Sequence, residues 1–358
     1  MYGLAILAAF LVLQLLGSLW YYGDPLPNTF YLKMSGYPVL LRMSRGLYVV
    51  LDFLWGIAWM LALVLLGSLW LQRGKPLLLL LLVFGGQVAY SIYVGGDAWE
   101  WWGGANRYIS VAMPAFFIAV SLTWESAVQH LRDMASSVGL RLAEVSLVPL
   151  VFIAVTGLPM ESRQSWAEYV LLREPLHVSD NTHAVQLAQI VTELTTNQAS
   201  IGVVTAGAIP YFADRHAVDL LGKNDRQVAH LQMRVPTGQW TRLTGFYPGH
   251  LKWDYAYSIG LLKPDVVVQL WRSSEEAEPF LDRDYTKVNV QGFSLYILKG
   301  SAHILWDRVD TAKQSPCDRF SSSPLAGLHP QRKVPTGLCC DGGLASTQQA
   351  ISEVDSIM

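Results

Sequence analysis

Residues 95–108 read Gly95-Gly96-Asp97-Ala98-Trp99-Glu100-Trp101-Trp102-Gly103-Gly104-Ala105-Asn106-Arg107-Tyr108. Two carboxylates and a guanidinium stand there among four glycines and three tryptophans, a mixture a passive linker does not need. A carboxylate can accept a hydroxyl proton or bind a metal, and a guanidinium can hold a phosphate in a fork of donors. Asp97 and Glu100 are therefore the candidate catalytic groups. Arg107 is a candidate phosphate contact, and Trp99 offers a flat face on which a sugar ring can stack. The plainer alternative is an interfacial turn in which Arg107 pairs with Asp97 and the tryptophans anchor the helix ends.

A second island is Tyr21-Tyr22-Gly23-Asp24-Pro25-Leu26-Pro27-Asn28-Thr29-Phe30-Tyr31-Leu32-Lys33. Paired aromatics leaving an apolar run are what an interfacial belt requires. Asp24, Asn28, Tyr31 and Lys33, set around two stiffening prolines, also make a rigid polar lip suited to a lipid headgroup or a sugar. Further along, Gly207 to Arg215, with Tyr211, follows a β-branched run, and loops after strands are where ligands gather in open sheets. In Tyr247-Pro248-Gly249-His250-Leu251-Lys252, His250 and Lys252 can meet a phosphate or a hydroxyl proton, although a histidine beside a Pro-Gly turn is more often a solvated loop residue. Asn224 or Asp225 reads as a helix cap. No phosphate-binding glycine loop, dinucleotide fingerprint, nucleophile elbow or HExxH occurs at the required spacing.

These islands need a scaffold, and the composition says which kind. Of 358 residues 52% are hydrophobic and 15% charged, against roughly 25% charged in a soluble chain. The net charge of -2 gives no polyanion-binding surface, so a nucleic-acid partner is excluded. The cysteines, Cys317, Cys339 and Cys340, fit neither a disulfide framework nor a zinc site, and no metal ligand set is assigned. A bilayer about 30 Å thick needs roughly 20 apolar residues as a helix. Five stretches qualify: 1–20, 47–71 with Asp52 near its start, 76–94, 108–124 and, weaker, 145–160. The basic connection Arg73-Gly74-Lys75, with Arg132 and Arg141, sets loops 21–46 and 95–107 outside, although Lys33, Arg42 and Arg45 oppose that assignment. The resulting expectation is a membrane α-helical bundle over 1–160, a small extracytoplasmic α/β domain over 161–300, and a disordered tail over 301–358. In the α/β part the pattern predicts helices over 183–196, 225–232 and 253–262 and strands over 201–205, 217–221, 266–270 and 293–298.

In their order and their placement relative to the spans, the Tyr21–Lys33 lip, Gly95-Gly96-Asp97 with Arg107, and the trailing Ile209-Pro210-Tyr211-Phe212, Asp219, Asp225 and Pro248-Gly249-His250-Leu251-Lys252 resemble the GT-C glycosyltransferases of actinobacterial envelopes, of the type that caps cell-wall arabinan. The likeness covers about residues 1–300. It implies a GT-C-like bundle in a bacterial plasma membrane that moves a sugar from a polyprenyl-phosphate donor to a glycan acceptor on the outer face, usually with inversion. A carboxylate would take the acceptor proton, cations would steady the leaving phosphate, and a divalent cation stays open as a cofactor. It also implies that the family's usual acidic base lies upstream of the lip. The chain is thus expected to be the C-terminal portion of such an enzyme, with Asp24, Asp97 and Glu100 as the remaining carboxylates. A non-catalytic membrane protein whose outward domain binds glycan or a partner subunit is the alternative. A transporter ranks last, because the spans hold almost no charge.

Overall fold

The computed structural model describes residues 2–70, 75–102, 105–134, 167–175 and 177–314. Two compact units interleave along the chain: one takes Met1–Ser35, His177–Met233 and Gly249–Met358, the other Gly36–Leu176 and Arg234–Pro248. The first unit opens with helix α1 (Tyr2–Tyr22), which carries no charged residue and buries none of its side chains. Such a helix satisfies its own backbone and suits only a medium as apolar as itself. The chain then turns at Gly23 and forms α2 (Asn28–Met34), which starts after extended Pro27 and buries Leu32.

The second unit is helical. Helices α3 (Val39–Gly56) and α4 (Ala58–Trp70) meet at an 81° bend. Then follow α5 (Lys75–Val94), α6 (Arg107–Ser110) and α7 (Met113–Met134). Along α5 the buried residues Leu77, Phe84, Ser91 and Val94 lie on one stripe, and Phe84 stacks on Phe116 of α7 with centroids 4.6 Å apart. Gly46 lets α3 approach α5, since a Cβ there would sit 2.8 Å from the Ile92 Cα. Small residues serve that purpose between membrane helices, where close packing replaces the hydrophobic drive.

Among the described residues two helices, α1 and α5, are long and apolar enough to cross a membrane, and the bent α3–α4 pair makes a third if its arms form one broken span. The stretch expected as a single span over 47–71 is therefore bent, and it begins earlier, at Val39. Arg42 and Arg45, read from sequence as part of the 21–46 loop, belong to α3 and are buried. The stretch expected over 108–124 falls on α6 and α7, and α7 runs on into the polar residues after Glu125. The stretch expected over 145–160 lies outside the described residues.

The rest of the first unit is an α/β layer structure. Its elements are α8 (Val178–Leu194), β1 (Ser200–Val203), α9 (Ala208–Ala213), β2 (His216–Asp219), α10 (Arg226–Ala229), β3 (Val266–Val267), α11 (Glu278–Asp284), β4 (Tyr285–Val290), β5 (Phe293–Leu298) and α12 (Trp306–Gln314). The strands order as β2-β1-β3-β5-β4. The first three are parallel, and β5 and β4 join antiparallel. Strand alternation splits the core between the two faces of the sheet. Val266 and Val268 face Leu187, Ile190, Val191 and Leu194 of α8, whereas Val267 faces Trp253, Tyr255 and Leu281. Each fully buried aliphatic side chain contributes roughly 1.5–3 kcal/mol, which holds the helices on the sheet.

Several local expectations change here, among them the strand over 266–270, which shortens to β3. The 225–232 helix shortens to α10, the 253–262 helix becomes the π-helical turn Ala256–Leu261, and β4 enters as an unpredicted hairpin partner of β5 through Gln291-Gly292, both at positive φ. Residues 306–314 are helical where a structureless tail was expected, because Val309 and Ile304 complete the α8 side of the core. The remaining tail, 315–358, lies outside the described residues.

Candidate functional site

In the first unit the topology itself marks an edge. Strand β1 lies between β2 and β3, so the chain leaves it to one side and later returns on the other. The crevice beyond the carboxyl ends at such a reversal is where open α/β sheets bind ligands. The loop leaving β2 there is shaped by Asp219, whose oxygens accept from the Leu221 N–H (3.0 Å) and the Asn224 N–H (2.8 Å). Gly222 within it sits at φ +77°, and a Cβ there would fall 2.8 Å from the Ala229 nitrogen. That fold of the loop sets Lys223. Asp225 caps α10 through the Val228 N–H, as its sequence position predicts, and accepts from the Tyr257 hydroxyl.

Three cationic or titratable side chains from distant parts of the chain meet at this loop. The Lys223 ammonium lies 3.5 Å from His250 Nε2. Lys33 of α2 passes over Gly249, with its Cγ and Cε 3.7 Å from where a Cβ would stand. Burial pushes the Lys223 ammonium below its ordinary pKa; Asp219 opposes that shift and the nearby Lys33 charge adds to it. Asn28 donates to the Lys223 carbonyl at 3.5 Å, and the Trp271 indole donates to the His250 carbonyl at 3.0 Å. Such a group of cations is chemically fit to hold a phosphate.

The lip is tied to the same domain at Asp24, which accepts from Arg226 Nε (2.5 Å) and lies 3.7 Å from His230 Nε2. The carbonyl of Arg226 can only accept, so His230 Nδ1 carries the proton and donates to it at 2.8 Å. Tyr31 packs its ring on His230 with centroids 4.1 Å apart. Lys252 is 1% exposed and gives its ammonium to the Tyr31 carbonyl (3.0 Å), the Ser35 hydroxyl (3.2 Å) and the Ala229 carbonyl (2.8 Å). Burial pushes its pKa down to about 8. Tyr211 stands 79% exposed on α9 with its ring against Phe212, and it makes no hydrogen bond to the lysine group among the described residues.

In the second unit the 95–107 segment is bonded to itself and to α3. Asp97 is fully buried, and Arg107 closes on it: Nε donates to Oδ2 (2.6 Å), a terminal nitrogen to Oδ1 (2.7 Å), and the backbone N–H to Oδ2 (3.2 Å). This is the pairing of the plainer alternative. The Arg107 side chain is nevertheless 59% exposed and lies over the Trp99 ring at 5.4 Å. Its hydrogen bond to Asp97 raises its pKa. Glu100 accepts from Arg45 (2.5 Å), from the Asp97 N–H (3.1 Å) and from Asn106. Asn106 also donates to Ser91 at 2.8 Å and caps α6 by accepting from the N–H groups of Tyr108 and Ile109. Burial raises the Glu100 pKa against the pull of Arg45 and Asn106. Asp97 thus has both oxygens committed to a guanidinium, while Glu100 is the carboxyl whose proton affinity is lifted.

The Asp219–Asp225 stretch stands out in the sequence, but Lys223 within it carries no assigned role there, nor do Arg226, His230, Arg45 and Asn106. Lys223 sits in a turn that read as a helix cap, and the buried arginine Arg45 has its partner about fifty residues away. Among the described residues no three His, Cys, Asp or Glu side chains come together as a metal site. A family model described as Domain of unknown function (DUF8728) matches residues 174–310, less than half of the chain; it spans the sheet, Lys223, His250 and Lys252. No curated protein and no solved structure matches the chain.

Proposed function

We propose that the protein transfers a sugar from a polyprenyl-phosphate carrier to an envelope glycan or glycolipid hydroxyl at the outer face of a bacterial plasma membrane, as a GT-C-like glycosyltransferase or the C-terminal portion of one. The observation that carries the proposal is the meeting of Lys33, Lys223 and His250 on one compact unit whose first element is a bare apolar helix. In this reading the lipid lies along α1, and its phosphate is held by the two ammonium groups and the imidazole, which also neutralise charge as the sugar leaves. Within the second unit, taken by itself, Glu100 is the carboxyl whose raised pKa suits proton uptake. Arg107 and Trp99 of that same unit set a cation beside an aromatic face.

The test uses the purified full chain with a polyprenyl-phosphate-linked sugar and a glycan acceptor. Turnover that falls in Lys33→Gln and Lys223→Gln is expected. Failure of the wild-type chain both to transfer sugar and to bind a prenyl phosphate refutes the proposal. The ion pair that engages both oxygens of Asp97 favours a second reading, a non-catalytic membrane protein whose outward domain binds glycan or a partner subunit. That reading requires glycan binding to survive Asp97→Asn combined with Glu100→Gln, whereas the enzyme reading requires loss of transfer.

A further inference from the structure

We infer that Lys252 is a positioning residue: buried between α2 and α10, its ammonium fastens the lip to the α/β domain and so fixes where Lys33 stands. An ammonium has three N–H donors, and all three are used, on the carbonyls of Tyr31 and Ala229 and the hydroxyl of Ser35. Both carbonyls lie in final helical turns, which favour a nearby cation; that of Tyr31 also accepts from the Ser35 backbone N–H at 3.2 Å. One side chain therefore completes two helix ends and leaves no donor for a ligand. Ser35, which accepts from Lys252, itself donates to the Tyr31 carbonyl at 2.8 Å, so the knot closes on α2 from both sides.

Other ties hold the lip as well: Asn28 donates to the Lys223 carbonyl at 3.5 Å, and Leu32 is buried. Arg226, the partner of Asp24, has a side chain 64% exposed, and solvent screens such a pair to near nothing. Tyr31 stacks on His230 but fixes no direction along α2. Lys33 follows Tyr31 by two residues on the same short helix, so where the Tyr31 carbonyl is pinned decides how Lys33 meets Lys223 and His250. The functional consequence rests on the phosphate reading above, whereas the fastening itself is a property of local stability.

Two measurements on the full chain in detergent separate these. The first is amide hydrogen exchange in wild type, Lys252→Met, Lys252→Arg and the milder Ser35→Ala. Lys252→Met should speed exchange by about tenfold or more in 28–35 and 226–230 while leaving β1 unchanged. Ser35→Ala should show a smaller rise in the same segments, and Lys252→Arg should recover part of the protection. Uniform acceleration across the unit, or no change at 28–35 in Lys252→Met and Ser35→Ala, overturns the inference.

The second is calorimetric binding of a C15 prenyl phosphate. Lys252→Met should lower affinity, and the double variant with Lys33→Gln should be no worse than Lys33→Gln alone, because Lys252 acts through Lys33. Additive losses, or full affinity in Lys252→Met, overturn the positioning role. If wild type binds no prenyl phosphate while exchange still localises to the lip, the fastening stands and the proposed function falls.

Discussion

The Arg45–Glu100 pair gives the sharpest test of how the 95–107 segment is held. Its side chains are 4% and 15% exposed and meet at 2.5 Å. Removing one partner of a buried pair costs about 3–5 kcal/mol, because the other charge is left in a poor dielectric. In Glu100→Gln, Arg45 keeps the Gly95 carbonyl at 2.8 Å, and the site is not wholly sealed. The expected loss is therefore at the lower end, about 3 kcal/mol, or roughly a hundredfold in the local opening equilibrium. Burial raises the Glu100 pKa against Arg45 and Asn106 and lowers that of Arg45, so each charge is held at a desolvation cost. Replacing both residues, Arg45→Met with Glu100→Met, should accordingly recover most of the loss, since neither charge is left stranded. Amide exchange over 95–107 in detergent reads both effects. Less than about threefold acceleration in Glu100→Gln, or a double variant as damaged as the sum of its singles, would refute the argument.

Glu100 also sets a pH dependence. Its folded pKa lies above 4.5, so between the two values the native state holds more protons than the unfolded one, and stability falls as pH rises through that window. Glu100→Gln should flatten that slope in a denaturation series; an unchanged slope assigns it elsewhere. Lys252 acts with the opposite sign: from about 8 to 10.5 the unfolded state binds the extra proton, so stability should rise with pH there, and Lys252→Met should abolish the rise. Lys33→Gln and Lys223→Gln should each weaken prenyl phosphate binding roughly tenfold and reduce its salt sensitivity, measured by calorimetry at low and high salt. Gly46→Ala should destabilise the helical unit by about 1–3 kcal/mol in thermal unfolding, since its Cβ meets the Ile92 backbone; an unchanged melting temperature would show that α3 and α5 can separate freely.

What the sequence made legible follows from where the stabilising partners lie. Helices α1 and α5 and strands β1 and β5 are specified within their own windows by apolar runs, whereas of the strand expected over 266–270 only Val266–Val267 pairs. Strand β4 has the same alternation, Tyr285-Thr286-Lys287-Val288-Asn289-Val290, but its polar half hid it until β5 supplied the partner edge. The start of α3 was illegible for a different reason. Arg42 and Arg45 read as outer-loop charges because nothing nearby in sequence can satisfy them. The structure satisfies them with the Tyr93 carbonyl (3.0 Å) and with Glu100, both about fifty residues away, and so admits them to a buried helix face.

The candidate site divides along the same line. Asp97 and Arg107, ten residues apart, were legible both as a pair and as chemistry, and only coordinates decide that each is committed to the other. Lys223 lies in a stretch whose residues dictate a turn, and it acquires chemistry only when Lys33, 190 positions earlier, arrives beside it. Lys252 carried a charge that read as ligand-facing, yet its burial against two helix ends turns the same charge inward. A cation's type announces that it needs acceptors; whether those belong to a ligand or to the fold is settled by its depth, which spacing along a chain does not encode.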